Sequence, residues 1–460
     1  MAFKQHTMEN KKHEPVSIFF FPFVGGGHMI PMVDMARVFA SHGATAVIVA
    51  TPNESQPFQD SINRARSLHN LPISIHTLSL PHDLPLQNTG VNALPTTDTS
   101  MLQHPLKRLL LERKPHCIVY DIFHRWAAEA IDSTGTLRIS FTGNGCFPKL
   151  VGDRMIQLRP QDVVDSEYEP FAVPNLPHRI ELTKSQLPNI KRPRDIVAPA
   201  GVLVNSFYAM EAPYADQLLT EFGTKCWLVG PVSFFHREKS GRGKQSSIDE
   251  TLLLSWLDQK PRNSVLYVSF GSLVRMKTWQ LEEIAHALES AGCLFIWVVP
   301  EGDLQWLPEG YEERMKERGL IIKGWAPQLV VLEHSSVGGF MTHCGWNSML
   351  EGVAAGLLMI TWPYSGDQFM NEKLIVDVLG IGVKVGSLHW NTWHADPKTM
   401  VGREKVKEAV ERLMNGGEEV EGMRIRVQKL KEEARRAVDA GGSSYNHVEA
   451  FIEEINLRFR

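Results

Sequence analysis

Between Trp325 and Gln368 the chain gathers tryptophan, glutamine, histidine, asparagine, serine and carboxylates into one run, WAPQLVVLEHSSVGGFMTHCGWNSMLEGVAAGLLMITWPYSGDQ. The apolar residues ending in Phe340-Met341-Thr342 predict a short strand, and His343-Cys344-Gly345 a tight turn. The stretch to Ala355 predicts a helix that Asn347 and Ser348 can cap and Gly356 stops. A helix start collects unpaired backbone N–H groups at the positive end of a dipole, so it can hold a phosphate. His343, Asn347 and Ser348 add side-chain donors there. Glu351, one turn further along the same helical face, can accept hydrogen bonds from vicinal hydroxyls such as those of a ribose. Phosphate and ribose together point to a nucleotide.

A second set of polar residues lies near the N-terminus. Val16 to Phe23 predicts a buried strand, followed by Gly25-Gly26-Gly27-His28 and a helix to about Ser41 with Pro31 in its first turn. His28 therefore stands beyond the carboxyl end of a strand, where ligands of doubly wound sheets bind. The apolar run Cys117-Ile118-Val119-Tyr120 reaches its first polar residue at Asp121. A carboxylate there can hold one tautomer of His28 and stabilise the imidazolium formed when the ring takes a proton; the alternative is an ordinary N-cap for a helix over 122–130.

Competing nucleotide motifs fail on single residues. A dinucleotide fingerprint needs glycine where Ile30 stands, and GSLVRMKT places Met276 where a P-loop needs glycine before Lys277. No D-x-D triplet occurs, so a metal-clamped sugar nucleotide finds no support.

The remaining elements form two α/β halves. Strands are expected at 46–50, 72–79, 117–121, 138–141, 201–205 and 226–231, then, after a charged Gly/Ser-rich stretch, at 265–270, 294–299 and 383–385. Two doubly wound, Rossmann-like sheets facing a cleft follow. The division is residues 1–235, a linker at 236–248, a second domain at 249–442, and a C-terminal helix at 443–460 capped by Ser443 or Ser444. The helices over 402–414 and 418–440 carry mostly solvated ion-pair faces.

Composition narrows the partners. The chain has 460 residues, 43% of them hydrophobic, and a net charge of −4 without a large basic cluster, which excludes nucleic-acid binding as the main task. Its five cysteines form no CxxC pairs, so neither a disulfide framework nor a zinc site is indicated, and a reducing, cytoplasmic location is expected. Val16 to Val24, interrupted by Pro22, is too short for a signal peptide or a membrane span. Small molecules are the expected partners of a monomeric enzyme.

The run from WAPQ through HCGWNS to its acidic-Gln end spans 44 residues. It resembles the secondary-product glycosyltransferase box of the plant family-1 UDP-dependent glycosyltransferases. That resemblance implies the two-lobed GT-B fold, with the C-terminal helix crossing back to the first domain. It implies a donor site of Ser272, Trp325, Ala326, Gln328, His343, Trp346, Asn347, Ser348, Glu351, Asp367 and Gln368. In that site Trp325 stacks on uracil and Gln328 meets the nucleoside. Ser272, His343, Asn347 and Ser348 hold the diphosphate, Glu351 the ribose, and Trp346, Asp367 and Gln368 the sugar. It further implies His28 as general base oriented by Asp121, no metal cofactor, and UDP-glucose as donor, of which Gln368 is the mark. Asn144 departs from the family's frequent Thr or Ser at a position touching the sugar's outer hydroxyl. The segment 148–199, Pro-rich and weakly periodic, is expected to line the acceptor pocket. FPFVGGGHMIPMVDMARVFASHG is similar to the branch that includes enzymes acting on triterpenoids, steroids and flavonoids, which ranks the expected acceptors as a triterpenoid or steroid alcohol or carboxyl first, a flavonoid hydroxyl second, and another plant phenolic or hormone third. The alternatives are the same fold using another UDP-sugar (galactose, xylose or glucuronate), which a donor panel separates, and a UDP-sugar epimerase or a catalytically silent binding protein, separated by whether UDP release needs an acceptor.

Overall fold

In the computed structural model, which describes residues 15–79, 96–188, 199–235, 242–302, 305–391 and 400–460, the apolar runs become strands covered on both faces. Cys117–Asp121 and Val265–Ser269 are buried at every residue, as strands of parallel sheets flanked by helices must be.

The first lobe runs β1 (Ser17–Phe21), α1 (Gly26–Ser41), β2 (Thr45–Ala50), α2 (Pro52–His69), β3 (Ile73–Thr77), α3 (Gln103–Arg113), β4 (Cys117–Asp121), α4 (Ala127–Asp132), β5 (Leu137–Phe141) and α5 (Cys146–Leu158). It continues through an antiparallel hairpin, β6 (Phe171–Val173) and β7 (Ile180–Leu182), then β8 (Val202–Val204), α6 (Tyr208–Phe222) and β9 (Cys226–Leu228). The second lobe runs α7 (Glu250–Asp258), β10 (Val265–Ser269), α8 (Thr278–Ala291), β11 (Leu294–Val299), α9 (Tyr311–Met315), β12 (Gly319–Lys323), α10 (Gln328–Leu332) and β13 (Val337–Thr342). After these come α11 (Trp346–Ala355), β14 (Leu358–Thr361), α12 (Gln368–Lys373), β15 (Gly382–Lys384), α13 (Arg403–Met414), α14 (Glu418–Val438) and α15 (Ser443–Arg458).

The sheets are ordered β3-β2-β1-β4-β5-β8-β9 and β12-β11-β10-β13-β14-β15. Every pair within them is parallel. In each, the winding reverses once, between β1 and β4 and between β10 and β13, and a crevice opens there at the carboxyl ends. Registers Phe21↔Tyr120 and Ser269↔Thr342 bring the paired ends level.

Several sequence expectations need correction. Helix α2 was not foreseen, because its buried stripe is narrow, chiefly Phe58, Ile62 and Ala65, and Pro57 interrupts an otherwise polar stretch. Helix α11 has Gly345 at its N-cap, so Asn347 and Ser348 lie inside the first turn with their side chains directed elsewhere. Gly442 caps α15 in place of Ser443 or Ser444, while Ser444 Oγ donates to Gly230 O at 2.6 Å. The described part of 148–199 holds most of α5 and the hairpin, whose Leu150, Val151, Met155, Phe171 and Leu182 are buried in the core. Helices α13 and α14 keep solvated faces but bury Val406, Val410, Val420 and Val427.

Helix α15 returns to the first lobe. His447 Nδ1 accepts from Leu228 N at 2.9 Å, and the buried Phe451 ring packs edge-on against Phe39 and Trp227, with centroids 5.1 and 5.0 Å away. Phe451→Ala should destabilise the first lobe by about 3–5 kcal/mol in denaturant unfolding, the usual range for emptying a buried aromatic site. Leu457→Ala, on an exposed position of the same helix, should stay within about 0.5 kcal/mol.

Candidate active site

A cavity of about 770 Å³ lies between the lobes, walled by His28, Asn144, Ser272, Trp325, Ala326, Gln328, His343, Trp346, Asn347, Ser348, Glu351, Asp367 and Gln368. Asp121 stands directly behind His28. The wall takes nothing from residues 148–188, contrary to expectation, because their apolar side chains are committed to the core; residues 189–198 lie outside the described residues.

On the first-lobe side, His28 sits in the first turn of α1, just after β1, while Asp121 is the last residue of the neighbouring β4. Their side chains meet at 2.7 Å, His28 Nδ1 to Asp121 Oδ2, and Asp121 Oδ1 accepts from Phe123 N at 3.0 Å. Asp121 is therefore a strand-end carboxylate turned to the histidine, and the helix of its neighbourhood, α4, begins only at Ala127. With Nδ1 bonded to the carboxylate, Nε2 is left for a proton taken from the cleft. Burial disfavours the imidazolium, but the charge of Asp121 and the hydrogen bond to it, aided by Asp367, outweigh burial and raise the His28 pKa above 6.5.

The second-lobe side is built on the turn from β13 into α11. Cys344 adopts φ 62°, a left-handed conformation that costs a non-glycine residue about 1 kcal/mol. Asn371 Nδ2 donates to its carbonyl at 2.8 Å and fixes the turn. The turn presents His343, whose ring is pressed between Gly271 and Gly345. A Cβ on Gly271, itself at φ +71°, would lie 2.6 Å from His343 Cε1. Burial pushes the His343 pKa down to about 4, and its Nδ1 has no protein partner, so the ring is a neutral hydrogen-bonding group.

Other side chains are already engaged. Gln368 Oε1 accepts from Tyr364 N and Ser365 N, both at 2.9 Å, which turns its amide NH2 outward as a donor. Asp367 Oδ2 accepts from Asn371 Nδ2 at 3.0 Å, and burial raises its pKa. Gln328 Nε2 donates to Glu351 Oε2 at 2.8 Å. Asn144 Oδ1 is buried without a protein partner.

Two residues of the box differ from the expectation drawn for them. Trp346 borders the cavity, but its indole N–H donates to Asn205 O at 2.8 Å and the ring is buried against the first lobe, so that donor does not face a sugar. Asn347 Nδ2 donates to Gly27 O at 2.7 Å, again across the lobes. Both residues clamp the start of α11 onto the first lobe.

The sequence reading also missed two residues. Arg242, inside the expected linker, is buried against the carboxylates of Asp34 and Glu351; nothing in a Gly/Ser-rich charged stretch marks one arginine for burial. The linker's residues 236–241 lie outside the described residues, whereas Arg242 and residues 244–247 border the cleft. His124, bonded to Pro22 O at 3.0 Å and Thr99 Oγ1 at 2.8 Å, stacks on Phe21 and supports the floor beneath His28. Among the described residues no three His, Cys, Asp or Glu side chains are grouped to hold a metal, and no helix is long and apolar enough to cross a membrane.

Two facing Rossmann-like lobes, with the start of α11 on one side of the cleft and a His–Asp pair on the other, have the architecture of a GT-B transferase. The fold agrees with that of Glycyrrhiza uralensis UGT73P12, solved with glycyrrhetinic acid 3-O-monoglucuronide, at a TM-score of 0.88 and 38% identity over 96% of each chain. Residues 251–417 match the family described as UDP-glucoronosyl and UDP-glucosyl transferase. The chain is 49% identical to abscisate beta-glucosyltransferase of Phaseolus angularis, covering 96% of this chain and 97% of that one. It is 41% identical to UDP-glucose flavonoid 3-O-glucosyltransferase 7 of Fragaria ananassa, covering 98% of both. The chain belongs to the plant family-1 UDP-dependent glycosyltransferases.

The His28 environment makes a direct prediction. In Asp121→Asn the raising charge is lost while burial remains, so the His28 pKa followed by NMR titration should fall from above 6.5 to below it. An unchanged titration would show that Asp121 does not set the protonation of His28.

Proposed function

We propose that the protein is an inverting, metal-independent UDP-glucosyltransferase that forms β-glucosides or glucose esters of a small hydrophobic terpenoid. The observation that carries this reading is the 2.7 Å His28–Asp121 pair facing, across one cleft, the helix start that bears His343 and Ser348. His28 Nε2 takes the proton of an acceptor hydroxyl, the freed oxygen attacks the anomeric carbon, and UDP leaves from the opposite face. Backbone N–H groups at the start of α11, with His343, Ser348 and Ser272, meet the charge growing on the diphosphate, the work a metal ion does elsewhere. Trp325 and Gln328 receive the nucleoside and Glu351 the ribose. Asp367, Gln368 and Asn144 read the sugar, Asp367 by accepting, Gln368 by donating and Asn144 through its unpaired oxygen.

The acceptor wall near His28 includes Ile30, Ile122 and Phe123. The similarity to an abscisate glucosyltransferase supports a terpenoid carboxylate as acceptor. A triterpenoid alcohol is the second reading, supported by the likeness to a structure holding a triterpenoid glucuronide. The two differ chemically, because a carboxylate with a pKa of about 4 arrives already ionised and needs no base.

His28→Ala should therefore lower transfer to a hydroxyl acceptor by at least about one hundred-fold, the scale of general-base catalysis, with UDP affinity unchanged. Its effect on a carboxylate acceptor should be markedly smaller. In the wild type, hydroxyl transfer should fall as pH drops below the raised His28 pKa, since the protonated ring cannot act as a base. Retention of hydroxyl transfer in His28→Ala would remove His28 from the mechanism.

For the donor, UDP-glucose should exceed UDP-galactose by roughly ten-fold or more in kcat/KM, with UDP-glucuronate worse still because its carboxylate approaches Asp367. The same panel in excess chelator should be unchanged. Preference for another sugar, or loss on chelation with rescue by magnesium or manganese, would overturn the donor site described.

A further inference from the structure

Arg242 belongs to the segment joining the lobes, yet its guanidinium is buried between them. Its Nε lies 2.6 Å from Asp34 Oδ2 on α1, and its Nη1 bonds to Glu351 Oε1 on α11. Arg37 extends the series, with Nη1 3.1 Å from Asp34 Oδ1. Positive and negative groups thus alternate from one lobe to the other, each side chain no more than 10% exposed.

The residues that follow hold Arg242 at the nucleoside end of the cleft. Gly243 takes φ +95°, and a Cβ there would come within 3.1 Å of Trp325 Cζ2. Ser247 N donates to Trp325 O, and Trp325 N donates to Ser247 Oγ, both at 2.8 Å. The segment is therefore anchored to the residue proposed to stack on the base.

We infer that Arg242 is a positioning residue of the donor site, holding the Glu351 carboxylate in the orientation that receives the ribose hydroxyls. The inference rests on the proposed role of Glu351 as ribose acceptor. A carboxylate offers about four lone-pair directions. Arg242 takes one on Oε1 and Gln328 takes one on Oε2, which leaves one on each oxygen for two vicinal hydroxyls. Without the guanidinium, one oxygen loses its anchor and the carboxylate can turn away. A lysine replaces the charge but not the geometry, because a point charge cannot fork to carboxylates on two different helices.

Calorimetric binding of UDP and 2′-deoxy-UDP tests this in the full-length protein. Wild type should prefer UDP by roughly ten-fold or more, the usual penalty for leaving a buried acceptor unpaired. Absence of that preference defeats the ribose role of Glu351, and the inference with it. With the preference present, Arg242→Gln should weaken UDP by roughly ten-fold while changing 2′-deoxy-UDP by less than about three-fold, so that the preference collapses. Arg242→Lys should lie between. In turnover, Arg242→Gln should raise the KM for UDP-glucose and leave kcat within about three-fold, the mark of lost uniform binding. Equal weakening of both ligands, or an intact preference in Arg242→Gln, overturns the role of Arg242 while leaving that of Glu351 standing. If Arg242→Gln does not fold, Arg242→Lys decides, and an undiminished preference in that variant overturns the inference.

Discussion

A parallel strand delivers what it carries to its carboxyl end, and this constraint organises the whole molecule. Each sheet reverses its winding once, so each has one crevice at which strand ends from distant parts of the chain lie side by side. Neighbouring strands stand about 4.8 Å apart, which lets short side chains on adjacent ends touch. His28 and Asp121, 93 residues apart, meet for this reason alone. Ser272 after β10 and His343 after β13 are neighbours by the same rule. Facing the two crevices toward each other makes one cleft from two half-sites.

Within that cleft a single carboxylate separates opposite behaviours of similar groups. Burial works against the charged form of His28, His124 and His343 alike. His124 and His343 are carried down to about 4 and remain neutral at physiological pH. His28 moves the other way because Asp121 bonds it directly. The molecule thus obtains one histidine with a raised pKa and two neutral ones from one residue type by placing one carboxylate.

Much of this is legible in the sequence. Unbroken apolar runs such as Cys117–Tyr120 announced doubly covered strands, and the spacing of His343, Asn347, Ser348 and Glu351 placed them about one helix start. The first polar residue after a buried run located Asp121. What could not be read was whatever depends on how the lobes meet. The side chain of Trp346 was expected at the sugar, but the ring follows the docking surface and reaches Asn205. Arg242 looked like linker because its composition is that of solvated chain, and only Asp34 and Glu351, from different lobes, give it a buried place. Asn347, Ser348, Ser443 and Ser444 do not cap their helices because Gly345 and Gly442, one to three positions earlier, already adopt the extended cap conformation. The 148–188 segment has too short a repeat in each element for periodicity to reveal a buried hairpin.

The docking of Trp346 also limits how this chain can diverge. Its indole lies where a Cβ on Gly145 would stand, and the buried Glu211 carboxylate occupies the rest of that space. Any larger residue at 145 must part the lobes, whereas Ile122, exposed on the cleft wall, can change size without disturbing that packing. Variation in a lineage built this way is channelled: exposed positions on the cleft wall are free to drift, and the seam beneath them is not. Change at exposed wall positions can therefore accumulate while the alignment of the two lobes is inherited intact.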